Sequence, residues 1–213
     1  MIDEQFRLEV LDWIANDTDP DTASLLSKWL SENNETELRT SFNGFLEFGT
    51  AGLRGPVRPG PSGMNRAVVG RTAAGIAAFL ISKGLSKVVI GRDARHGSKE
   101  FMQESAEILS GAGLDIYLLP RELPTPVLAF AVNDLKMDCG IMVTASHNPA
   151  IDNGYKVYLG GNIDGINFRG SQIIAPIDKE VSRLISEVSL PSPRGSSWKI
   201  VGEDLIEHYV DDE

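Results

Sequence analysis

The sequence holds a single cysteine, Cys139, so it can form neither an intrachain disulfide nor a thiolate metal cluster. Set in the apolar run Cys139-Gly140-Ile141-Met142-Val143, that thiol is expected to be buried and inert. The lack of disulfides suits a reducing, cytoplasmic setting. Basic residues are also scarce: 20 Lys and Arg face 30 Asp and Glu, a net charge of −10. This balance repels a phosphate backbone, so no nucleic acid partner is expected. A few converging Arg, Lys and N–H groups would still hold a small anion such as a sugar phosphate. No apolar run is long enough to cross a bilayer, and no membrane partner is expected. Met1-Ile2-Asp3-Glu4-Gln5 is acidic and unlike a signal or transit peptide. The N-x-T triplets at Asn16 and Asn34 read as chance matches. No stretch matches G-x-x-x-x-G-K-[ST], and no G-x-G-x-x-G opens a helix, which removes support for nucleotide binding.

What is present is an alternation of helical and strand patterns. Phe6, Val10, Trp13 and Ile14, then Leu25, Leu26, Trp29 and Leu30, predict two short amphipathic helices joined by a turn at Asp17-Thr18-Asp19-Pro20-Asp21. Both tryptophans read as core. Residues 48–63 are dense in Gly and Pro and predict a loop with special backbone conformations. A helix over Asn65 to Lys83 follows, with Gly84 as its C-cap. Val88-Val89-Ile90 predicts a buried strand. Next come a helix at 98–110, a strand at 115–119, a helix at 125–133 and a strand at 140–143. Asn153-Gly154 reads as a turn before an antiparallel strand at 155–159. A helix at 177–188 and a Pro/Ser-rich stretch at 189–197 close the pattern. The expectation is an α/β fold: a three-layer α/β/α domain with a mixed, mostly parallel sheet, one antiparallel edge and an N-terminal helical extension. The expected boundaries are 1–45 for the extension, 46–190 for the α/β/α domain, and 191–213 for a linker into a further domain of a longer protein.

Ser146 follows the strand ending at Val143, so it falls where open α/β sheets place their ligands. Its flanks lack G-x-S-x-G, and the adjacent His147 is badly placed to serve as its base, which argues against acyl transfer.

Three segments carry a family resemblance. Phe48-Gly49-Thr50-Ala51-Gly52-Leu53-Arg54-Gly55, Gly91-Arg92-Asp93-Ala94-Arg95, and Thr144-Ala145-Ser146-His147-Asn148-Pro149 with Asn153-Gly154-Tyr155-Lys156 resemble, in order and separation, the N-terminal domain of the phosphohexomutase superfamily. The first has the form found in its phosphoglucomutase/phosphopentomutase branch. The resemblance implies interconversion of sugar 1-phosphates with 6-phosphates, or 5-phosphates for pentoses, through a bisphosphorylated sugar. Ser146 would carry the phosphoryl group. Arg54 would grip phosphoryl oxygens, Lys156 would act as general acid/base, and His147 would position phosphate or shuttle a proton. Thr144, Asn148, Asp93 and Arg95 would support the loop.

The resemblance also implies Mg²⁺, with phosphorylated Ser146 as the one ligand this chain offers, and an activator of the glucose 1,6-bisphosphate type. Asp164-Gly165-Ile166-Asn167 has too few acids to complete a hard-cation site. The expected partners are sugar phosphates and the remaining domains of a full-length protein. The alternatives are a phosphoserine-using phosphatase and a non-catalytic sugar-phosphate-binding module.

Overall fold

Three helices precede the sheet: α1 (Glu4–Asn16), α2 (Pro20–Ser31) and α3 (Glu35–Ser41). The computed structural model describes residues 2–50, 52–188 and 192–211, so Ala51 of the first motif, part of the Pro/Ser-rich stretch and the last two residues lie outside the described set. Each helix starts on an Asx cap: Asp3 accepts from the Phe6 N–H, Asp19 from Asp21 with Pro20 at the first helical position, and Asn34 from Glu37. Phe6, Val10, Leu26, Leu30 and Leu38 form their common core, with Trp13 and Trp29 half-buried against it. The third helix departs from the two expected. It is short and polar, and Leu38 is its one buried large apolar side chain, so it carries no periodicity to read.

The main sheet contains β1 (Leu53–Pro56), β2 (Lys87–Arg92), β3 (Asp115–Glu122), β4 (Cys139–Val143), β5 (Asp152–Leu159), β8 (Ser171–Gln172) and β9 (Lys199–Ile200). Its order is β1-β5-β4-β2-β3-β9, with β8 pairing β5. A separate small hairpin joins β6 (Asn162–Ile163) to β7 (Ile166–Asn167). β4, β2, β3 and β9 pair in parallel, whereas β5 runs against β1, β4 and β8. Only β5 is reversed.

Helices cover both faces. α4 (Arg66–Ser82), α5 (Ser98–Gly111) and α7 (Ile177–Glu187) pack over Val88, Ile90, Ile141 and Val157. On the other side, α6 (Thr125–Asp134) and α8 (Glu203–Asp211) pack over Val89, Met142 and Tyr158. Alternate residues of a central strand thus enter different cores, which explains why β2 and β4 read as continuous apolar runs. The three-layer α/β/α fold is as expected. Cys139 is buried, and desolvation pushes its thiol far above the ordinary range. Gly84 takes φ +70 and ends α4. Residues 192–198 run along α5, with the Gly195 N–H donating to the Glu107 carbonyl at 2.8 Å. Arg194 meets the buried carboxylate of Glu104 there. No described helix is long and apolar enough to cross a membrane.

Two expectations fail. The reversed strand is not the edge, because β1 lies outside it, formed by four residues of the segment read as loop. Asn153-Gly154 is not a turn either: it lies inside β5, and residues 144–151 make the connection from β4. The physical reason is close packing. A Cβ on Gly154 would sit 2.6 Å from the Thr144 carbonyl oxygen and 2.8 Å from that of Leu53. Asn153 is fully buried, and its amide donates to the His96 carbonyl and the Ser98 hydroxyl, both at 2.9 Å.

Gly154→Ala is therefore expected to cost about 3 kcal/mol of stability in urea unfolding, because both obstructing atoms belong to backbone. Gly49→Ala, where a Cβ meets nothing within 4 Å among the described residues, should change it by less than about 0.5 kcal/mol. Equal effects at the two positions would contradict this account of Gly154.

Candidate active site

The loop carrying Ser146 leaves the C-terminal end of β4 beside the end of β2, where the Asp93 N–H donates to the Val143 carbonyl at 3.1 Å. Ser146 is exposed and holds a left-handed backbone, φ +56, with its N–H donating to Thr144 Oγ1 at 2.9 Å. A non-glycine residue in that region stores strain that surrounding bonds must hold.

Arg95 supplies those bonds. Its Nη1 donates to the carbonyls of Pro149 (2.7 Å) and Asp152 (3.0 Å), and its Nη2 to those of Ser146 (2.9 Å) and Asn148 (2.8 Å). Asp93 steadies Arg95 through an ion pair at 3.4 Å and accepts the Arg95 N–H at 3.0 Å. The Ser98 hydroxyl donates to the same carboxylate at 2.7 Å and in turn accepts from Asn153. A polar chain thus runs from the buried start of β5 to the serine loop.

Two cations share one face of the sheet. Arg54 on β1 pairs with Gly154, and Lys156 stands two residues further along β5, so both side chains project to the same side. Arg54 Nη1 donates to Asn148 Oδ1 at 3.2 Å. Partial burial, and secondarily the nearby Arg54 charge, hold the Lys156 ammonium below the usual lysine range. His147 is exposed beside Ser146 and makes no hydrogen bond among the described residues.

Ser146, Thr144, Asn148, Asp93, Arg95 and Arg54 are thus joined by direct hydrogen bonds, and Lys156 is coupled to Arg54 by charge. Sequence reasoning missed Asp152 and Ser98, and it placed Asn153 in the third segment without giving it a role. Asn153 was concealed by its turn-like dipeptide, and the other two carried no signal. Among the described residues no three His, Cys, Asp or Glu side chains converge on a metal position. Asp164 instead pairs with Lys83 at 2.8 Å. A cavity of about 300 Å³ lined by Phe45, Phe48, Arg71 and Ile185 shares no residue with the loop. Arg71 serves there as a cap, donating to the Ile185 and Ser186 carbonyls at the end of α7.

An α/β/α domain with a strained serine loop at the carboxyl ends of its strands, faced by an arginine and a partly desolvated lysine, is the class that this arrangement defines. The chain belongs to the family described as "Phosphoglucomutase/phosphomannomutase, alpha/beta/alpha domain I", whose model matches residues 46–184. It is 44% identical to a "probable phosphomannomutase" of Haemophilus influenzae over 155 residues, covering 70% of this chain and 30% of that protein. It is 35% identical to the human phosphopentomutase over 217 residues, covering 97% of this chain and 34% of that protein. A crystal structure described as a "putative phosphomannomutase" from Thermus thermophilus superposes with a TM-score of 0.62 at 29% identity, covering 78% of this chain and 36% of that one. The chain spans about a third of the length of the curated relatives it matches.

The setting of Lys156 fixes a sign. Burial and Arg54 both favour the neutral amine, so the fold binds fewer protons there than the unfolded chain between the lowered value and the ordinary one of about 10.4. The contribution of Lys156 to stability accordingly rises with pH across that window. In a ¹³C-lysine NMR titration, Lys156 should titrate below the exposed lysines, and Arg54→Gln should move its midpoint upward. An unchanged midpoint would show that Arg54 exerts no field at Lys156.

Proposed function

We propose that this chain is the phosphoryl-carrying portion of a phosphosugar mutase, with Ser146 as donor and acceptor. The observation that carries the reading is the caging of Ser146 by Arg95, with Arg54 and Lys156 on the adjoining face. In the first half-reaction the bond between phosphorus and Ser146 Oγ breaks, and a bond from phosphorus to a sugar hydroxyl oxygen forms. The hydroxyl proton passes to the amine form of Lys156, the form that burial and then the Arg54 charge favour. Ser146 Oγ leaves as an alkoxide and takes a proton from solvent, to which it is exposed, and His147 is left to help position the phosphate. The second half-reaction reverses these steps on the other phosphoryl group of the bisphosphorylated sugar. Transfer of this kind depends on positioning and charge more than on covalent work by the protein. Arg54 offers a planar fork to the phosphoryl oxygens.

Among the described residues, Mg²⁺ fits only through a phosphorylated Ser146. The groups left to face a ligand at the loop are guanidinium and ammonium, while the carboxylates of Asp93 and Asp152 are committed to Arg95, Ser98 and Asn148 and no three acidic or imidazole side chains converge among the described residues, which suits a phosphate and not a bare cation. Bound at that phosphate, the ion would neutralise charge on the transferring group, with carboxylates supplied from outside the described residues. The substrates proposed are hexose or pentose phosphates, and a sugar bisphosphate of the glucose 1,6 type would load Ser146.

In the full-length protein, Ser146→Ala should lower bisphosphate-dependent isomerisation by at least about a thousandfold. Full turnover by that variant would overturn the assignment.

A further inference from the structure

Asp152 opens β5 at the foot of the serine loop. Asn148 Nδ2 donates to its Oδ2 at 2.9 Å, while Asn148 Oδ1 accepts from Arg54 at 3.2 Å. A carboxylate only accepts and a guanidinium only donates, so the two neighbours demand the same amide orientation from opposite ends. A flipped amide would set N–H against N–H at Arg54 and oxygen against oxygen at Asp152. The backbone of Asp152 is committed as well. Its N–H donates to the Pro149 carbonyl at 3.0 Å, and its own carbonyl accepts from Arg95 at 3.0 Å. One residue therefore ties both arginines of the site together, Arg95 through its main chain and Arg54 through the amide of Asn148.

We infer that Asp152 is a positioning residue for phosphoryl transfer: by locking the Asn148 amide, it sets the aim of Arg54. Arg54 is exposed, and Asn148 is its one side-chain hydrogen-bond partner among the described residues, so nothing else described restrains this flexible side chain. Asp152 does not touch the transferring group and acts only through Asn148. The inference rests on the proposed role of Arg54 at the phosphoryl oxygens.

The test uses the full-length protein carrying Asp152→Ala, Asp152→Asn, Asn148→Ala or both alanines, with ¹⁵N-asparagine labelling for the Asn148 side chain. Asp152→Ala should lower kcat about tenfold and change KM for the sugar phosphate by less than about twofold. It should also remove the hydrogen-bonded signature of the Asn148 amide. Asp152→Asn keeps an acceptor oxygen, so it should restore kcat to within about twofold of the parent and retain that signature. The double alanine variant should be no slower than Asn148→Ala alone, because the two residues act in series. An unchanged Asn148 signal in Asp152→Ala overturns the inference, and so does equal impairment of Asp152→Asn and Asp152→Ala. Additive losses in the double variant would overturn it too, and this holds even if Asp152→Ala is poorly folded. Full turnover by Ser146→Ala would remove the proposed function, while the amide signal would still decide how Asn148 is oriented.

Discussion

Arg95 gives four hydrogen bonds to four main-chain carbonyls, three in the serine loop and one at the first residue of β5, and the geometry of the site depends on that grip. Carbonyls in a tight connection between strands lack ladder partners, and unpaired polar backbone is costly wherever water is excluded. A guanidinium satisfies several at once because its donors lie in a fixed plane. Each charge-assisted bond is worth about 1.5–3 kcal/mol, enough in sum to hold Ser146 in a left-handed conformation that costs about 1–3 kcal/mol. Lysine, a single point charge, cannot span the same four oxygens. The loop is rigid because one planar cation sits beneath it.

The sheet supplies the second constraint. A single reversed strand, β5, lies between β4 and β1, so the serine loop, Arg54 and Lys156 come from three neighbouring strands at one end of the sheet. Gly154 lets this happen, since its missing side chain admits the Thr144 and Leu53 carbonyls. Close approach of β1 then puts Arg54 within reach of Asn148 and near enough to Lys156 to oppose its protonation. Packing, strand direction and electrostatics thus converge on the same few residues.

Much of this was legible in the sequence, and the parts that were not share a cause. The α/β alternation showed because strands buried on both faces read as apolar runs, as Val88-Val89-Ile90 does. Ser146, Arg54, Asp93 and Arg95 stood out through spacing that the family resemblance could match. Asn153-Gly154 misled because its turn preference is local, whereas its place inside β5 is decided by contacts with β1, β4 and α5. β1 was hidden by its length, by Gly55, which weakens a strand signal, and by Pro56, which only an edge strand tolerates. Asp152 showed nothing, because its meaning depends on how the loop folds Asn148 back over it. Local propensity reported local structure, and the residues it missed are the ones whose partners are tertiary.

The account stands or falls on which atom carries phosphorus. Incubating the full-length protein with a glucose 1,6-bisphosphate-type sugar and mapping the modified peptide by tandem mass spectrometry, under conditions that preserve phosphohistidine, would decide it. The account predicts one phosphoryl group, on Ser146. A label on His147 or Thr144, or an unmodified loop in protein that nonetheless turns over, would contradict it.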